Sequence, residues 1–184
     1  MANSDNELVS LARAGNAAAF DELVSRHQGR VFALAYHVLG NAEDAADVQQ
    51  DAFLNAWTNL PRFRGEAAFA TWLHRITVNA CLSRKRRKDW GVEREPVSEN
   101  SDYTRGASPV LCQERAVNAV IVRDLLSAIP ANHRIVLVLR EVEGMSMEEI
   151  AGVTGSSVGA VKKRLYRVRK LFGERLRRQL MEDE

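Results

Sequence analysis

The chain has 184 residues, a formal net charge of +2 and 46% apolar residues. This length and composition allow a packed core, which excludes wholesale disorder and favours one or two small domains. No run has transmembrane length and no apolar signal segment opens the chain, so we expect a cytoplasmic protein without membrane insertion. Cys81 and Cys112 fit no C-x-x-C spacing, and we expect both thiols to be reduced, with a regulatory disulfide as the alternative.

The small net charge conceals a strong segregation of charge along the chain. Residues 157–178 contain nine basic residues and one acidic residue, Glu174. A second basic run, RKRRK, fills residues 84–88, whereas residues 41–61 contain acids and no base. Segregation of this kind predicts different partners for different surfaces of the protein.

Helical periodicity dominates the long stretches of the chain, and few residues favour strands. From Asn16 to Gly40 apolar residues recur at helical spacing, which predicts a helix that Asn16 caps and Gly40 ends. Further helices are predicted over about 42–59 and 69–88. Residues 89–111 combine Pro, Gly and Ser with little periodicity, which is typical of a linker.

Helical signals resume at about Cys112. Pro130 suits the first turn of a helix that runs to about Glu143, before Gly144. Ser146 begins the next helix with an S-x-x-E capping box. We therefore expect an all-α fold of two small helical domains, residues 1–90 and 112–184, joined by a flexible linker over 91–111.

The last two predicted helices have the pattern of a helix-turn-helix unit. The short helix SMEEIAGV is followed by Gly155, which suits a tight turn, and then by a longer amphipathic helix. The inward face of that helix is predicted to hold Val158, Val161, Leu165, Val168 and Phe172. The outward basic face holds Lys163, Tyr166, Arg167 and Lys170, with Lys162 at its flank.

In a helix-turn-helix unit the second helix enters the major groove of DNA, so this basic face predicts DNA binding. Arg164 and Arg169 lie nearer the buried edge, where they are expected to brace the packing. The alternative is a basic amphipathic helix on an unrelated bundle. Many regulators carry this unit, so the unit alone leaves the role of the protein open.

The helix over 42–59 combines acids with an apolar residue that no core explains. Its polar face is predicted to hold Glu43, Asp44, Asp47, Gln50 and Asp51. Leu54 falls on this acidic side, away from the predicted core face. An exposed leucine among acids favours docking of a basic partner helix; the alternative is a solvated face with one stray leucine.

The helix over 69–88 carries a polar and cationic stripe, Arg75, Asn79 and Arg86, beside Trp72. Such a stripe next to aromatic rings suits unstacked nucleotides, because base stacking contributes ~1–3 kcal/mol per base. The basic run at 84–88 would add salt-dependent contacts to phosphates; the alternatives for this run are nuclear-type targeting or a solvated helix end. The alternative for Phe69 and Trp72 is a simple core position, which we expect for most of their surface.

Two blocks of the sequence resemble a known family. NAEDAADVQQDAFLNAWTNLPRFRGEAAFATWLHRITVNACLSRKRR, residues 41–87, resembles region 2 of bacterial sigma factors of the extracytoplasmic function (ECF) group. LLSAIPANHRIVLVLREVEGMSMEEIAGVTGSSVGAVKKRLYRVRKLF, residues 125–172, resembles region 4 of the same group. Their order and spacing suit a group that lacks region 3. The resemblance implies a region 2 bundle over 1–90 and a region 4 helix-turn-helix domain over 112–184.

The resemblance implies that the protein binds core RNA polymerase and promoter DNA. The acidic helix would dock on the clamp coiled coil of the largest polymerase subunit, through Asp47, Gln50, Asp51 and Leu54. The C-terminal helix would read the −35 element, through Lys162, Lys163, Tyr166, Arg167 and Lys170. The linker resembles the segment that threads polymerase towards its active centre, and an anti-sigma factor is an expected further partner.

The loop RFRGEAAF and the helix after it resemble the part that captures a flipped base of the −10 element. Extruding a base costs a few kcal/mol, which contacts in a pocket must offset. The positions assigned to −10 binding and melting are Phe63, Arg64, Phe69, Trp72, Arg75, Asn79 and Arg86.

Two other functional classes compete with a polymerase subunit. The first is a helix-turn-helix regulator that acts without polymerase; it would not need an acidic docking helix or a base-capturing loop. The second is an enzyme, but the sequence shows no nucleophile paired with a base, no metal spacing and no phosphate loop. We therefore expect no catalysis and no cofactor.

Overall fold

The computed structural model describes residues 3–89, 126 and 129–182. Over these ranges the chain is helical and has no strand, which confirms the all-α prediction. The predicted linker over 91–111 lies outside the described residues. No helix in the described part is long and apolar enough to cross a membrane. The helices are α1 (Asp5–Arg13), α2 (Ala17–Leu39), α3 (Ala42–Asn59), α4 (Phe69–Asp89), α5 (Ala131–Glu141), α6 (Met147–Thr154) and α7 (Val158–Glu182), with a 3-10 turn over Leu60–Arg62.

Local signals in the sequence set most helix ends. Asn16 caps α2 by accepting a hydrogen bond from the Ala19 N–H, and Gly40 ends α2 in the left-handed conformation, with φ of +76°. Both hydrogen bonds of the predicted capping box at Ser146 are present. Helix α5 ends at Glu141 rather than Glu143, and Pro130 is its N-cap residue rather than part of its first turn.

Helix α1 was not predicted, although the sequence contains its start signal. Ser4 and Glu7 form a second S-x-x-E capping box. The helix buries Leu8, Val9 and Ala12 and packs on α2. Its apolar stripe is short, and this is why helical periodicity alone did not reveal it.

The described residues form two hydrophobic cores that meet along α2, α3 and α4. The first core lies within the N-terminal half and includes Leu23, Phe53 and Phe69. The second core joins α2, α3 and α4 to the C-terminal helices. Helix α2 packs on α5, and α4 packs on α6. The two halves of the chain therefore form one packed body, an arrangement that the sequence did not predict.

Cys81 lies in the second core and is fully buried. Its burial raises the pKa of the thiol to about 12. A thiol with so high a pKa is protonated and unreactive at neutral pH. In this arrangement Cys81 acts as a packing residue.

Substituting Ser146→Ala should lower the free energy of unfolding by about 1 kcal/mol. The Ser146 hydroxyl accepts a hydrogen bond from the Glu149 N–H at 3.1 Å, and alanine would leave that N–H without its cap. Urea unfolding followed by circular dichroism measures the change. Ser25→Ala, at an exposed position of α2, should stay within about 0.5 kcal/mol of the parent. Equal effects of the two substitutions would contradict the capping role.

Candidate nucleic-acid and protein interfaces

The predicted docking residues lie together on the exposed side of α3. Asp47, Gln50 and Asp51 are exposed, and Leu54 is 59% exposed. An apolar side chain so exposed gains nothing from the core of the folded chain and is available to a partner. The acids around it would favour a partner that carries positive charge.

Beside Leu54 an open groove of about 360 Å³ runs between α2 and α3. Its apolar lining includes Phe20, Val24, Phe53 and Trp57. Trp57 is 41% exposed, and its ring lies 4.9 Å from that of Phe20. Sequence reasoning missed Trp57, although its position three residues after Leu54 places both on one side of a helix.

Asp44 departs from the predicted polar face of α3. Its side chain is buried, and its Oδ1 accepts hydrogen bonds from Arg84 of α4. The same guanidinium reaches Asp47, with 3.0 Å between Arg84 Nη2 and Asp47 Oδ2. Arg84 therefore joins the docking helix to α4 and orients one of the predicted docking acids. The run RKRRK had suggested phosphate binding, a targeting signal or a solvated helix end for this arginine, and not a contact with α3.

The predicted stripe on α4 forms a narrow exposed line. Arg75, Asn79 and Arg86 are all exposed, and Arg86 Nη2 donates to the Ser83 hydroxyl at 3.3 Å. Helical steps of about 100° place these three residues within one arc of the helix. The amide of Asn79 can contact the bases of a single strand, and the two guanidinium groups beside it can contact the phosphates.

A cluster of aromatic rings lies at the start of α4, between the stripe and the first core. Phe63 and Phe69 are buried, at 8% and 1% exposure, whereas Trp72 is half-buried. The Trp72 ring lies 4.9 Å from Phe63 and 5.8 Å from Phe69. The two phenylalanines thus support Trp72 from the inside, and Trp72 has the ring surface that a base could reach.

Arg64 lies in the loop before α4 and is widely exposed. Its side chain is 83% exposed and lies 3.8 Å from the Glu66 carboxylate. Such a long contact between exposed groups contributes little stability. Arg64 can therefore turn towards a strand held against α4.

Helices α6 and α7 form the predicted helix-turn-helix. Gly155 makes the turn in the left-handed conformation, with φ of +61°. Ser157 then caps α7 by accepting a hydrogen bond from the Ala160 N–H. The predicted inward face is confirmed, because Val161, Leu165 and Val168 are buried. Val158 and Phe172 pack partly buried on the same core.

The outward face of α7 presents the predicted residues to solvent. Tyr166 is 73% exposed, a large fraction for an aromatic side chain. The basic residues around it are also exposed: Lys162, Lys163, Arg167 and Lys170. A face of four cations and one aromatic ring can contact phosphates and base edges together.

Two further arginines of α7 make contacts within the C-terminal half. Arg164 is half-buried, and its Nη1 donates to the Ser156 hydroxyl of the turn at 2.9 Å. Arg169 donates to Glu141 of α5, with 2.6 Å between Nη2 and Oε1. The Arg164 contact agrees with its predicted bracing role, whereas the side chain of Arg169 is 57% exposed and its pair with Glu141 lies at the surface, where such pairs contribute little stability.

Comparison with known proteins identifies the family. The family Sigma-70 region 2 matches residues 23–91, and the family Sigma-70, region 4 matches residues 119–172. The chain is 33% identical to the RNA polymerase sigma-H factor of Pseudomonas aeruginosa, over 97% of this chain and 96% of that protein. It is 36% identical to the ECF RNA polymerase sigma factor SigM of Mycobacterium tuberculosis, over 90% of this chain and 81% of that protein.

Solved structures agree with this relationship. CnrH, in complex with the cytosolic domain of CnrY, matches with a TM-score of 0.70 and 31% identity, over 95% of this chain and 97% of that chain. The sigma factor RpoE of Bartonella quintana, in complex with the anti-sigma factor NepR, has the same fold with a TM-score of 0.62. This chain therefore belongs to the ECF family of sigma factors, the subunits that bind core RNA polymerase and promoter DNA to initiate transcription.

Proposed function

We propose that this chain docks on the clamp coiled coil of the largest polymerase subunit, captures the −10 element with α4 and reads the −35 element with α7. The observation that carries the proposal is the exposed Leu54 among acids, beside an apolar groove. A regulator that acts without polymerase would have no use for such a surface. This face distinguishes a polymerase subunit from an isolated helix-turn-helix protein.

The docking surface combines two kinds of contact. Leu54 and Trp57 offer apolar area that a partner helix would cover, at about 25 cal/mol per Å² buried. Asp47, Gln50 and Asp51 surround this area with acceptors and two charges. Apolar area at the centre would supply affinity, and the acidic rim would select a basic partner and speed its association.

The −10 element would meet α4 as a single strand. Trp72 would stack on an unpaired base, while Arg64, Arg75 and Arg86 contact phosphates and Asn79 contacts base edges. Phe63 and Phe69 would contribute indirectly, because their rings pack against the buried side of Trp72 and hold it in place. Contacts of this kind would offset the few kcal/mol needed to unstack the base.

The −35 element would meet α7 as duplex DNA. Lys162, Lys163 and Tyr166 lie in the N-terminal part of α7, which enters the major groove in helix-turn-helix proteins. Arg167 and Lys170 follow on the same exposed face. The basic side chains would supply salt-dependent affinity through contacts with phosphates. Those that reach a guanine would add sequence specificity.

The roles divide between the two ends of the chain. Residues 1–90 would provide polymerase docking and −10 melting, and residues 112–184 would provide −35 recognition, with 91–111 connecting them. The protein would act in the cytoplasm, without catalysis or a cofactor of its own. An anti-sigma factor is a further proposed partner, by analogy with the relative RpoE and its anti-sigma factor NepR.

Run-off transcription with core polymerase over a random promoter library tests this function directly. We expect the sequenced products to share two short elements at fixed spacing, one read by each half of the chain. Core polymerase without the chain serves as the control. Products without any shared element would contradict promoter recognition.

Asp51→Arg should weaken binding to core polymerase by about a hundredfold or more. The change places a positive charge on the surface that is proposed to meet a basic helix, and like charges in contact cost several kcal/mol. Titration of labelled chain with core polymerase measures the affinity. Asp21→Arg makes the same change at an exposed position of α2 and should bind like the parent. Unchanged binding by a folded Asp51→Arg variant would refute the docking assignment.

Tyr166→Ala and Arg167→Ala should each weaken −35 recognition by about 1–3 kcal/mol where a base contact is lost. Arg169→Ala provides the control on the same helix, because Arg169 is paired with Glu141 at the surface. Affinity of the holoenzyme for promoters with intact and scrambled −35 elements measures the effect. Equal losses on both promoters would indicate phosphate contact alone.

Asn79→Ala should impair promoter opening more than duplex binding. The Asn79 side chain lies on the stripe proposed to hold the single strand, so its loss acts only once the strands separate. Permanganate reactivity of the −10 region measures opening, and a gel-shift titration measures duplex binding. Asn6→Ala, at an exposed position of α1, serves as the control. Normal permanganate reactivity in the Asn79 variant would remove this residue from the melting site.

A further inference from the structure

The short helix α1 packs on the elements that form the aromatic cluster at the start of α4. It buries an apolar stripe in the first core, which also contains Phe63 and Phe69. The helix contacts α2, α4 and the 3-10 turn that precedes Phe63. Helix α1 therefore supports the proposed −10 site from its buried side.

A short hydrogen bond connects α1 to a buried histidine of α2. Asp5 is the first residue of α1, and its Oδ2 lies 2.7 Å from Nε2 of His27, whose side chain is buried. Partial burial would raise the pKa of the Asp5 carboxyl, but hydrogen bonds from His27 and Arg26 outweigh it and hold the pKa below its usual value. Asp5 is therefore an ionised acceptor at neutral pH, and Nε2 of His27 carries the hydrogen that it accepts.

This hydrogen bond fixes the orientation of the His27 ring. Rotation of an imidazole about its Cβ–Cγ bond has a broad, roughly two-fold energy profile, so packing alone defines the ring orientation poorly. An acceptor on one side selects the orientation that points Nε2 towards it. The capping box of Ser4 and Glu7 holds the first turn of α1, so the Asp5 acceptor itself has a fixed position.

From His27 the contact continues through aromatic rings to Trp72. The rings of His27 and Phe69 meet edge-to-face, with 5.4 Å between their centroids. Phe69 is the first residue of α4, is 1% exposed, and lies 5.8 Å from the Trp72 ring. Edge-to-face contacts depend on the angle between the rings. The orientation of His27 therefore acts on Phe69, which in turn packs against the ring that is proposed to stack on a base.

A second, longer contact from α1 reaches the same cluster. Nη2 of Arg13, in the last turn of α1, donates to the carbonyl of Pro61 at 3.5 Å. The 3-10 turn that contains Pro61 ends where the Phe63 N–H donates to the Leu60 carbonyl. The Phe63 ring lies 4.9 Å from that of Trp72. The two ends of α1 thus contact the supports of both phenylalanines that pack against Trp72.

We propose that Asp5 and His27 are positioning residues for promoter opening: through Phe69 they hold the Trp72 ring in the orientation that receives the unpaired base of the −10 element. The inference rests on the proposed function, because it takes Trp72 as the base-stacking ring. A ring that is held in place before the base arrives loses less freedom on binding, so more of the stacking energy remains available to hold the base.

Three variants of the full-length chain separate this link from general stability. Asp5→Ala removes the acceptor of His27. Asp5→Asn keeps an oxygen at the same place and serves as the conservative rescue. Arg26→Ala removes the other partner of the same carboxylate, at an exposed position, and leaves the contact with His27 intact. Circular dichroism and urea unfolding check that each chain is folded.

Tryptophan fluorescence of the free chain measures the ring itself. Trp57→Phe and Trp90→Phe leave Trp72 as the single tryptophan of the chain. In this background Asp5→Ala should increase the local motion of Trp72 in time-resolved anisotropy, whereas Asp5→Asn and Arg26→Ala should match the parent. Unchanged motion in a folded Asp5→Ala chain, or an equal increase in Arg26→Ala, would overturn the inference. This measurement needs neither polymerase nor promoter.

Permanganate reactivity of the −10 region, with holoenzyme on a promoter recovered from the random library, measures opening. Asp5→Ala should reduce it about threefold or more, which is part of the loss of about fivefold or more that removal of a stacked ring causes. Binding to core polymerase should stay at the parent value, and Asp5→Asn should restore opening.

Combination with Trp72→Ala shows whether Asp5 acts through that ring. In the Trp72→Ala background Asp5→Ala should cause no further loss of opening, because the two residues belong to one chain of contacts. A full additional loss would place the effect of Asp5 elsewhere and overturn the inference. Normal opening by Trp72→Ala alone would instead refute the proposed stacking role, and the anisotropy would still decide whether Asp5 holds the ring.

Discussion

The organisation of the protein depends on α4, which is buried along two faces and exposed along a narrow third. Phe69 and Leu73 enter the first core, whereas Val78 and Cys81 enter the second, which is shared with the C-terminal half. The arc that carries the polar stripe remains open to solvent. Because α4 packs against a core on each side, the stripe is held in a fixed orientation beside Trp72.

Buried charges connect the helices around α4 in two different ways. Arg84 pairs with Asp44 and Asp47 within the N-terminal half and sets the docking helix against α4. Arg134 instead binds a backbone carbonyl across the two halves. Breaking either contact would leave a charged group without its partner in a low dielectric, which costs several kcal/mol. The first contact lies within the N-terminal half, whereas the second joins the two halves.

Local patterns predicted much of the site. The inward face of α7, the exposure of Tyr166 and the exposure of Leu54 all follow from a 100° step per residue. Patterns predicted less where a side chain finds a distant partner. Asp44 belongs by periodicity to the acidic face, but Arg84, forty residues later, draws it into the interior. Phe63 and Phe69 were assigned to DNA, and the structure places both rings beneath Trp72.

The sequence by itself determined every described helix except α1, most of their caps and the sorting of charge, because each depends on residues within about one turn of one another. Two blocks in register also determined the family. Only the tertiary structure decided that the two halves pack together and that His74, Val78 and Cys81 are buried. No local period encodes that second face of α4, because its burial depends on helices that lie far along the chain.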